Sequence, residues 1–113
     1  MTPTQRQVTR LVAHVAALYE LTPSDVLSEE RGRLSQYEAR RLVYLVAHVG
    51  LGLSTGQIGE VCADSYQNVR AHITRAVAQL KLSRVFKLTY QKVLRDTVRE
   101  FERSGLDLPG AAE

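Results

Sequence analysis

The residues best suited to doing chemistry lie together in one run, Ser65-Tyr66-Gln67-Asn68, followed at helical spacing by Arg70, Thr74 and Arg75. The first four are polar and uncharged. Gln and Asn side chains can each pair bidentately with adenine, and a Tyr ring can pack on a thymine methyl or reach a phosphate. Arg70 and Arg75 stand one and two turns further on, where backbone phosphates would lie. The chemistry these residues suit is recognition through hydrogen bonds and charge. The same pattern also describes an ordinary packed helix with a solvated polar face, so the surrounding chain has to decide between the two.

Bond-making chemistry finds little support. A catalytic site needs a nucleophile, a base or a metal in convergent positions. Cys62 is the only thiol, and helical spacing puts it on an inner face with Ile58 and Val61. Glu29-Glu30 sit in a polar loop without a third partner. Tyr37 and Tyr44 read as packing residues. His14, His48 and His72 are far apart and share no ligand spacing with Cys62. We therefore expect no enzyme activity, no metal and no cofactor.

The elements that must position the polar run are two helices. Ser54 with Gln57 forms an S-x-x-Q capping box, which predicts a helix to Cys62. A second helix is predicted from Asp64 or Ser65, with Asp64 and Gln67 offered as its cap pair. Its buried face is expected to be Val69, Ile73, Ala76, Val77 and Leu80. Tyr66, Gln67, Arg70, Ala71, Thr74 and Arg75 then face outward, with Asn68 on the flank. A short helix bracing a second one, across a tight turn, is the geometry that puts an N-terminal helical turn into a DNA major groove.

Upstream, Thr2-Pro3-Thr4-Gln5 starts a helix whose stripe is Val8, Leu11, Val12, Val15, Leu18 and Tyr19. Thr22-Pro23-Ser24-Asp25 starts a short turn, Pro23 to Leu27. Residues 28–34 form a polar loop in which Arg31 and Arg33 flank Gly32, an arm suited either to a minor groove or to solvent. Ser35 to Glu38 predicts a capped helix from about Gln36 to Val49. Ala39, Leu42, Val43, Val46 and Val49 would form its apolar face, Arg40 and Arg41 its other side, and Gly50 its stop. Ser83 caps a last helix to about Arg103, striped by Phe86, Tyr90, Val93, Leu94, Thr97, Val98 and Phe101. The expected fold is all-α: a compact helical bundle with a central helix-turn-helix and a long C-terminal helix.

The 113 residues carry a net charge of +3, unevenly placed. Residues 1–64 hold six Lys/Arg and seven Asp/Glu; residues 65–103 hold nine Lys/Arg and three Asp/Glu. Positive charge thus begins where the proposed recognition helix begins, which favours a polyanionic partner. A single cysteine fits a reducing compartment. With no signal peptide or membrane span in view, a cytoplasmic, nucleoid-associated location is expected.

The order of these motifs resembles the C-terminal DNA-binding domain (domain IV) of the bacterial replication initiator DnaA, a Trp-repressor-like helix-turn-helix. VAALYELTPSDVLSEERGR, residues 15–33, is similar to that family's apolar helix, Tyr, short helix ending D-x-L-S and basic loop. ARRLVYLV, residues 39–46, is similar to its A-R-Q-x-A-M-Y-L. LSTGQIGEV, residues 53–61, is similar to its L-S-x-x-E-I-G-x-x-F, and Val69 to His72 stands at its V-x-x-A. The resemblance covers about residues 8–82. It implies a DnaA-like domain over 1–82. Beyond it, the stripe from Phe86 to Phe101 predicts a C-terminal helix over 83–104 that folds back on the core or pairs with another chain, and residues 105–113 read as a flexible tail.

By position, the resemblance places Ser65, Tyr66, Gln67 and Asn68 at the bases. Arg31, Arg33, Arg41, His48, Thr55, Arg70, Thr74 and Arg75 fall at phosphates or the minor groove. The family's G-G-R-D-H-[ST]-T-V is replaced by the one-residue-shorter Ala63-Asp64-Ser65-Tyr66-Gln67-Asn68-Val69, so the family's target sequence does not carry over. No G-x-x-x-x-G-K-[ST] occurs, and the chain lacks an initiator's ATPase. Folds of this type freed from the ATPase also occur in alpha-proteobacterial regulators that activate gene transfer agent or phage-like genes. The partners this implies are double-stranded DNA and RNA polymerase or another regulator, with no membrane, for a monomer or homodimer. The alternative is a protein-interaction module that works through its C-terminal helix.

Overall fold

The computed structural model describes residues 2–28 and 34–104, with backbone only at 101, 103 and 104. Glu29-Glu30, Arg31, Arg33 and the 105–113 tail lie outside the described residues. Among the described residues six helices make up the all-α fold: α1 (Pro3–Leu18), α2 (Pro23–Leu27), α3 (Leu34–Gly50), α4 (Thr55–Cys62), α5 (Tyr66–Leu82) and α6 (Arg84–Ser104). There is no strand among the described residues.

Local signals set most helix starts. Thr2 with Gln5, Thr22 with Asp25 and Ser54 with Gln57 all form reciprocal capping boxes, each pairing two otherwise unsatisfied end donors. α3 departs from expectation by beginning at Leu34, ahead of the Ser35 cap. Its stop also differs. Gly50 is still helical, and the left-handed residue is Gly52, at φ 68°. There the Leu53 amide donates back to the Ala47 carbonyl at 3.2 Å.

The core is organised on α3, which packs against every other helix. Leu42 through Ala47 are all buried, so α3 is apolar all round and not on one face only. Val49, expected inside, is 54% exposed, and at this end of α3 it is Gly50 that faces Leu94 of α6. Arg40, expected outside with Arg41, is only 8% exposed. Its Nε–H donates to the Val26 carbonyl at 2.9 Å, where the end of α2 offers a partial negative charge.

α6 folds back on α1, α3 and α5. Phe86, Val93 and Thr97 are buried along it, and Tyr90 and Leu94 are partly buried. A single non-helical residue, Ser83, joins it to α5. The Ser83 amide donates to the Gln79 carbonyl at 2.8 Å, ending one helix. Its hydroxyl accepts from the Phe86 amide at 3.1 Å, starting the next.

Candidate nucleic-acid interface

α4 and α5 are joined by three residues, Ala63–Ser65. The turn is tight enough that α4 must carry a glycine. A Cβ on Gly59 would lie 2.5 Å from the Asp64 carbonyl oxygen. The Asp64 amide in turn donates to the Gly59 carbonyl at 2.8 Å. Ala63 closes α4 in the left-handed region, at φ 54°.

Asp64 is the knot of this turn. Its carboxylate accepts from the Tyr44 hydroxyl at 2.8 Å, from the Ser65 amide at 2.9 Å and from the Asn68 side-chain nitrogen at 2.9 and 3.0 Å. The cap of α5 is accordingly not the expected Asp64–Gln67 pair. Ser65 is the N-cap, accepting from the Asn68 amide at 3.2 Å, and Gln67 is left outside. Tyr44 projects from the buried α3, so the first turn of α5 is anchored directly to the core.

His72 supports the same anchor from beneath. It is buried, and its ring meets that of Tyr44 edge-on, centroids 5.6 Å apart. Burial, with Arg40 and Arg41 nearby, pushes its pKa down to about 4, so it is neutral at pH 7. Burial and the Asp64 hydrogen bond push the Tyr44 hydroxyl well above its ordinary value, which keeps it a donor. Burial, then the charge of Asp64, raises the Cys62 thiol to about 11. Cys62 is thus a buried neutral thiol on the inner side of α4, as its spacing predicts.

The inner face of α5 is Val69, His72 and Ala76, flanked by partly buried Ile73 and Leu80. Val77, expected inside, is 41% exposed. The buried arc is turned so that His72 takes the place sequence hydrophobicity assigned to Val77. Outward stand Ser65, Tyr66, Gln67, Arg70, Thr74 and Arg75, all exposed, with Ala71 half-exposed between them. Gln67 and Thr74, seven residues apart, share the middle of this face by helical spacing. Arg70 and Tyr66 flank one side and Arg75 the other. The Thr74 hydroxyl donates back to the Arg70 carbonyl at 3.0 Å.

The remaining expected contacts are placed differently. Asn68 is half-buried and its side-chain amide nitrogen is taken up by Asp64. Arg41 is also half-buried, donating to the Gln79 side-chain oxygen at 3.2 Å. Gln79 in turn donates to Glu38, a chain of polar groups between α3 and α5. His48 and Thr55 lie at the connection between α3 and α4, and the His48 Nδ1 is 2.7 Å from the Leu53 carbonyl. At that distance Nδ1 donates to the carbonyl, which fixes the orientation of the ring. Arg31 and Arg33 lie outside the described residues. Sequence reasoning missed Tyr44 and His72 as supports of this face, because the contacts that define them are not local, and it missed Gly59, whose close approach to Asp64 lies only five residues on.

Charge reinforces the arrangement. No Asp or Glu occurs between Asp64 and Asp96. Arg70, Arg75, Lys81, Arg84, Lys87, Lys92 and Arg95 all fall in that interval. Asp64 itself is turned inward on its hydrogen-bond donors. The outward face of α5 is therefore neutral and basic, without a carboxylate of its own to repel phosphate. Among the described residues no helix is long and apolar enough to cross a membrane, and no group of three or more His, Cys, Asp or Glu is placed to hold a metal. Comparison with models of known families, with curated proteins and with solved structures gives no match.

Proposed function

We propose that the chain is a sequence-specific, double-stranded-DNA-binding transcription regulator in which α4, the Ala63–Ser65 turn and α5 act as a helix-turn-helix. One observation carries the reading. The first turns of α5 present Gln67 and Thr74 between Arg70 and Arg75 on an exposed face without carboxylates, while Asp64 and Tyr44 lock that face to the core. Preorganised polar side chains on a rigid helix suit base edges, and the flanking arginines suit the phosphates on either side. The resemblance of residues 8–82 to the DnaA DNA-binding domain supports the same role for a stand-alone regulator. In this reading Gln67 and Tyr66 do most of the base reading. Asn68 acts mainly as a brace, since its amide is already engaged. Arg41, His48 and Thr55 are the outlying backbone contacts.

The test is selection from a randomised duplex library at two salt concentrations, with sequencing of the retained DNA. One enriched motif with salt-dependent affinity is expected. On that motif Gln67→Ala should cost about 1–3 kcal/mol, with little effect on random DNA. Arg75→Ala should weaken both and reduce the salt slope by about one unit. Retention without a motif would reduce the chain to a non-specific binder. No retention at either salt would end the proposal.

A further inference from the structure

At its other end α5 carries a different kind of surface. Among the described residues, half of the exposed large hydrophobic side chains fall within residues 77–88: Val77, Leu82, Val85 and Leu88. Leu82 is 88% exposed and Leu88 55%, although Leu82 adjoins the joint at Ser83 and Leu88 lies little more than one turn beyond it. Scattered single hydrophobics need no explanation, but a cluster of this kind marks a contact surface. The cluster borders a groove of about 940 Å³ between the end of α5 and the start of α6. Val77, Leu80, Leu82, Leu88 and Tyr90 supply its apolar lining, and Lys81, Arg84 and Lys87 supply its charge. Among the described residues no carboxylate lines it.

We infer that this groove docks an acidic amphipathic helix of another protein. The apolar stripe of that helix would lie on Val77, Leu82 and Leu88, and its carboxylates would meet Lys81, Arg84 and Lys87. Three arguments select this occupant. The three cations, without a counter-charge in the groove, call for an anionic partner. Phosphate binding would explain the cations but not the leucines, so nucleic acid leaves the larger part of the surface unaccounted for. A second copy related by a two-fold axis would set the same basic rim against itself, and like charges across an interface oppose association. A trough between two helices suits a third helix laid into it with contacts every three to four residues. The site lies about three to four turns along α5 from Gln67, so the partner and DNA need not compete. The inference holds whether or not the first turns of α5 read DNA.

The experiment is a titration of the ¹⁵N-labelled full chain with a synthetic helical peptide bearing leucines at i, i+3 and i+7 and glutamates on both flanks. A control peptide carries lysine in place of every glutamate. The glutamate peptide should shift amides of residues 77–91, saturate, and weaken as salt rises. The lysine peptide should bind at least about tenfold more weakly. Leu88→Ser and Lys87→Glu should each weaken the glutamate peptide about tenfold. Both side chains are exposed, so thermal melts of the variants should match the parent. If one variant does lose its fold, the other still decides the matter. Equal binding of both peptides, no binding of either, or shifts confined to other residues would overturn the proposal. Two further outcomes would also overturn it. Duplex DNA that shifts residues 77–91 in preference to 66–75 would assign the groove to nucleic acid. Self-association competed by the peptide would assign it to a second copy.

Discussion

α5 is held by a turn at each end, and the two turns are built differently. Before α5, three residues carry a left-handed alanine, a glycine-dependent close approach and a carboxylate with donors from three residues. After it, one extended serine closes one helix and caps the next, and its neighbours Leu82, Arg84 and Val85 stand in solvent. The first turn fixes a direction, because Tyr44 ties it to the buried α3. The second fixes only a connection, and the surface beside it is left open. A reading head needs the first kind of support, since displacements of an ångström or so cost recognition. A docking groove tolerates the second kind, since the partner completes the packing. The difference suggests that the two ends of α5 serve separate tasks.

The strongest way to break the comparison is at Gly59. A methyl group there meets the Asp64 carbonyl at 2.5 Å. Backbone on both sides cannot step aside as a flexible side chain would. Gly59→Ala is expected to destabilise the fold by roughly 2–3 kcal/mol through overpacking, measured by denaturant unfolding. In the proposed DNA-binding role, affinity for the selected site should fall further than stability alone explains, because α5 tilts. Gly50 provides the control. A methyl there meets only the far end of Leu94, at 2.7 Å, so Gly50→Ala should cost much less. Equal costs at the two positions would mean that the first turn is not specially tight.

Next in size is the response to acid, which enters through His72. Its pKa is about 4 in the folded chain against an ordinary 6.5. Between these values the unfolded chain binds a proton that the folded chain refuses. The contribution of neutral His72 is therefore complete above about pH 6.5 and is lost as pH falls toward 4. By pH 5 the loss should be about 2 kcal/mol. Carboxylates add their own acid dependence, so the measurement is the difference in pH slope between the parent and His72→Gln. A charged His72 is repelled by Arg40 and Arg41 and is driven from its buried place against the Tyr44 ring, whose hydroxyl holds Asp64. The first turn should thus loosen in acid before the Ser83 joint does, visible as earlier amide exchange at residues 64–69 than at 83–87. A His72→Gln slope identical to the parent's would remove this residue from the account.

How much of this was legible beforehand depends on distance along the chain. The caps of α1, α2 and α4 were readable, because each box closes over three residues. The stripe of α6 from Phe86 to Thr97 and the polar face of α5 were readable from helical spacing; the Phe101 side chain, the last of that stripe, lies outside the described residues. Arg40 was misplaced because a charge belongs outside unless a partner is known, and its partner is the Val26 carbonyl fourteen residues away. Val77 and His72 exchanged places for a related reason. Hydrophobicity favours burying Val, but the position of Tyr44 on a distant helix decides which arc of α5 faces inward. The central place of α3 was hidden because six apolar residues in succession, Leu42 to Ala47, admit either a one-sided helix or one surrounded on all sides. For the candidate site, the exposed residues were foreseen and their supports were not. Tyr44 and Asp64 are twenty positions apart, and no local pattern connects them.

The smallest effect separates the two turns most cleanly, because one substitution should act with opposite sign. Ala63 holds φ 54°, where a Cβ costs about 1–2 kcal/mol. Its side chain is exposed and has little packing to lose. Glycine removes that strain but adds freedom to the unfolded chain, worth roughly 0.5–1 kcal/mol in the other direction. Ala63→Gly should therefore stabilise the protein by ~0.5 kcal/mol, a rise of a few degrees in Tm. Ser83 has φ −126°, an ordinary extended conformation with no strain to relieve. Ser83→Gly gives up the cap on the Phe86 amide and gains the same unfolded-state freedom. It should destabilise by ~0.5–1 kcal/mol. A stabilising Ser83→Gly would mean that the joint after α5 is strained as the turn before it is. The open surface at Leu82 and Leu88 would then reflect a forced connection, and the case for a docking groove there would weaken.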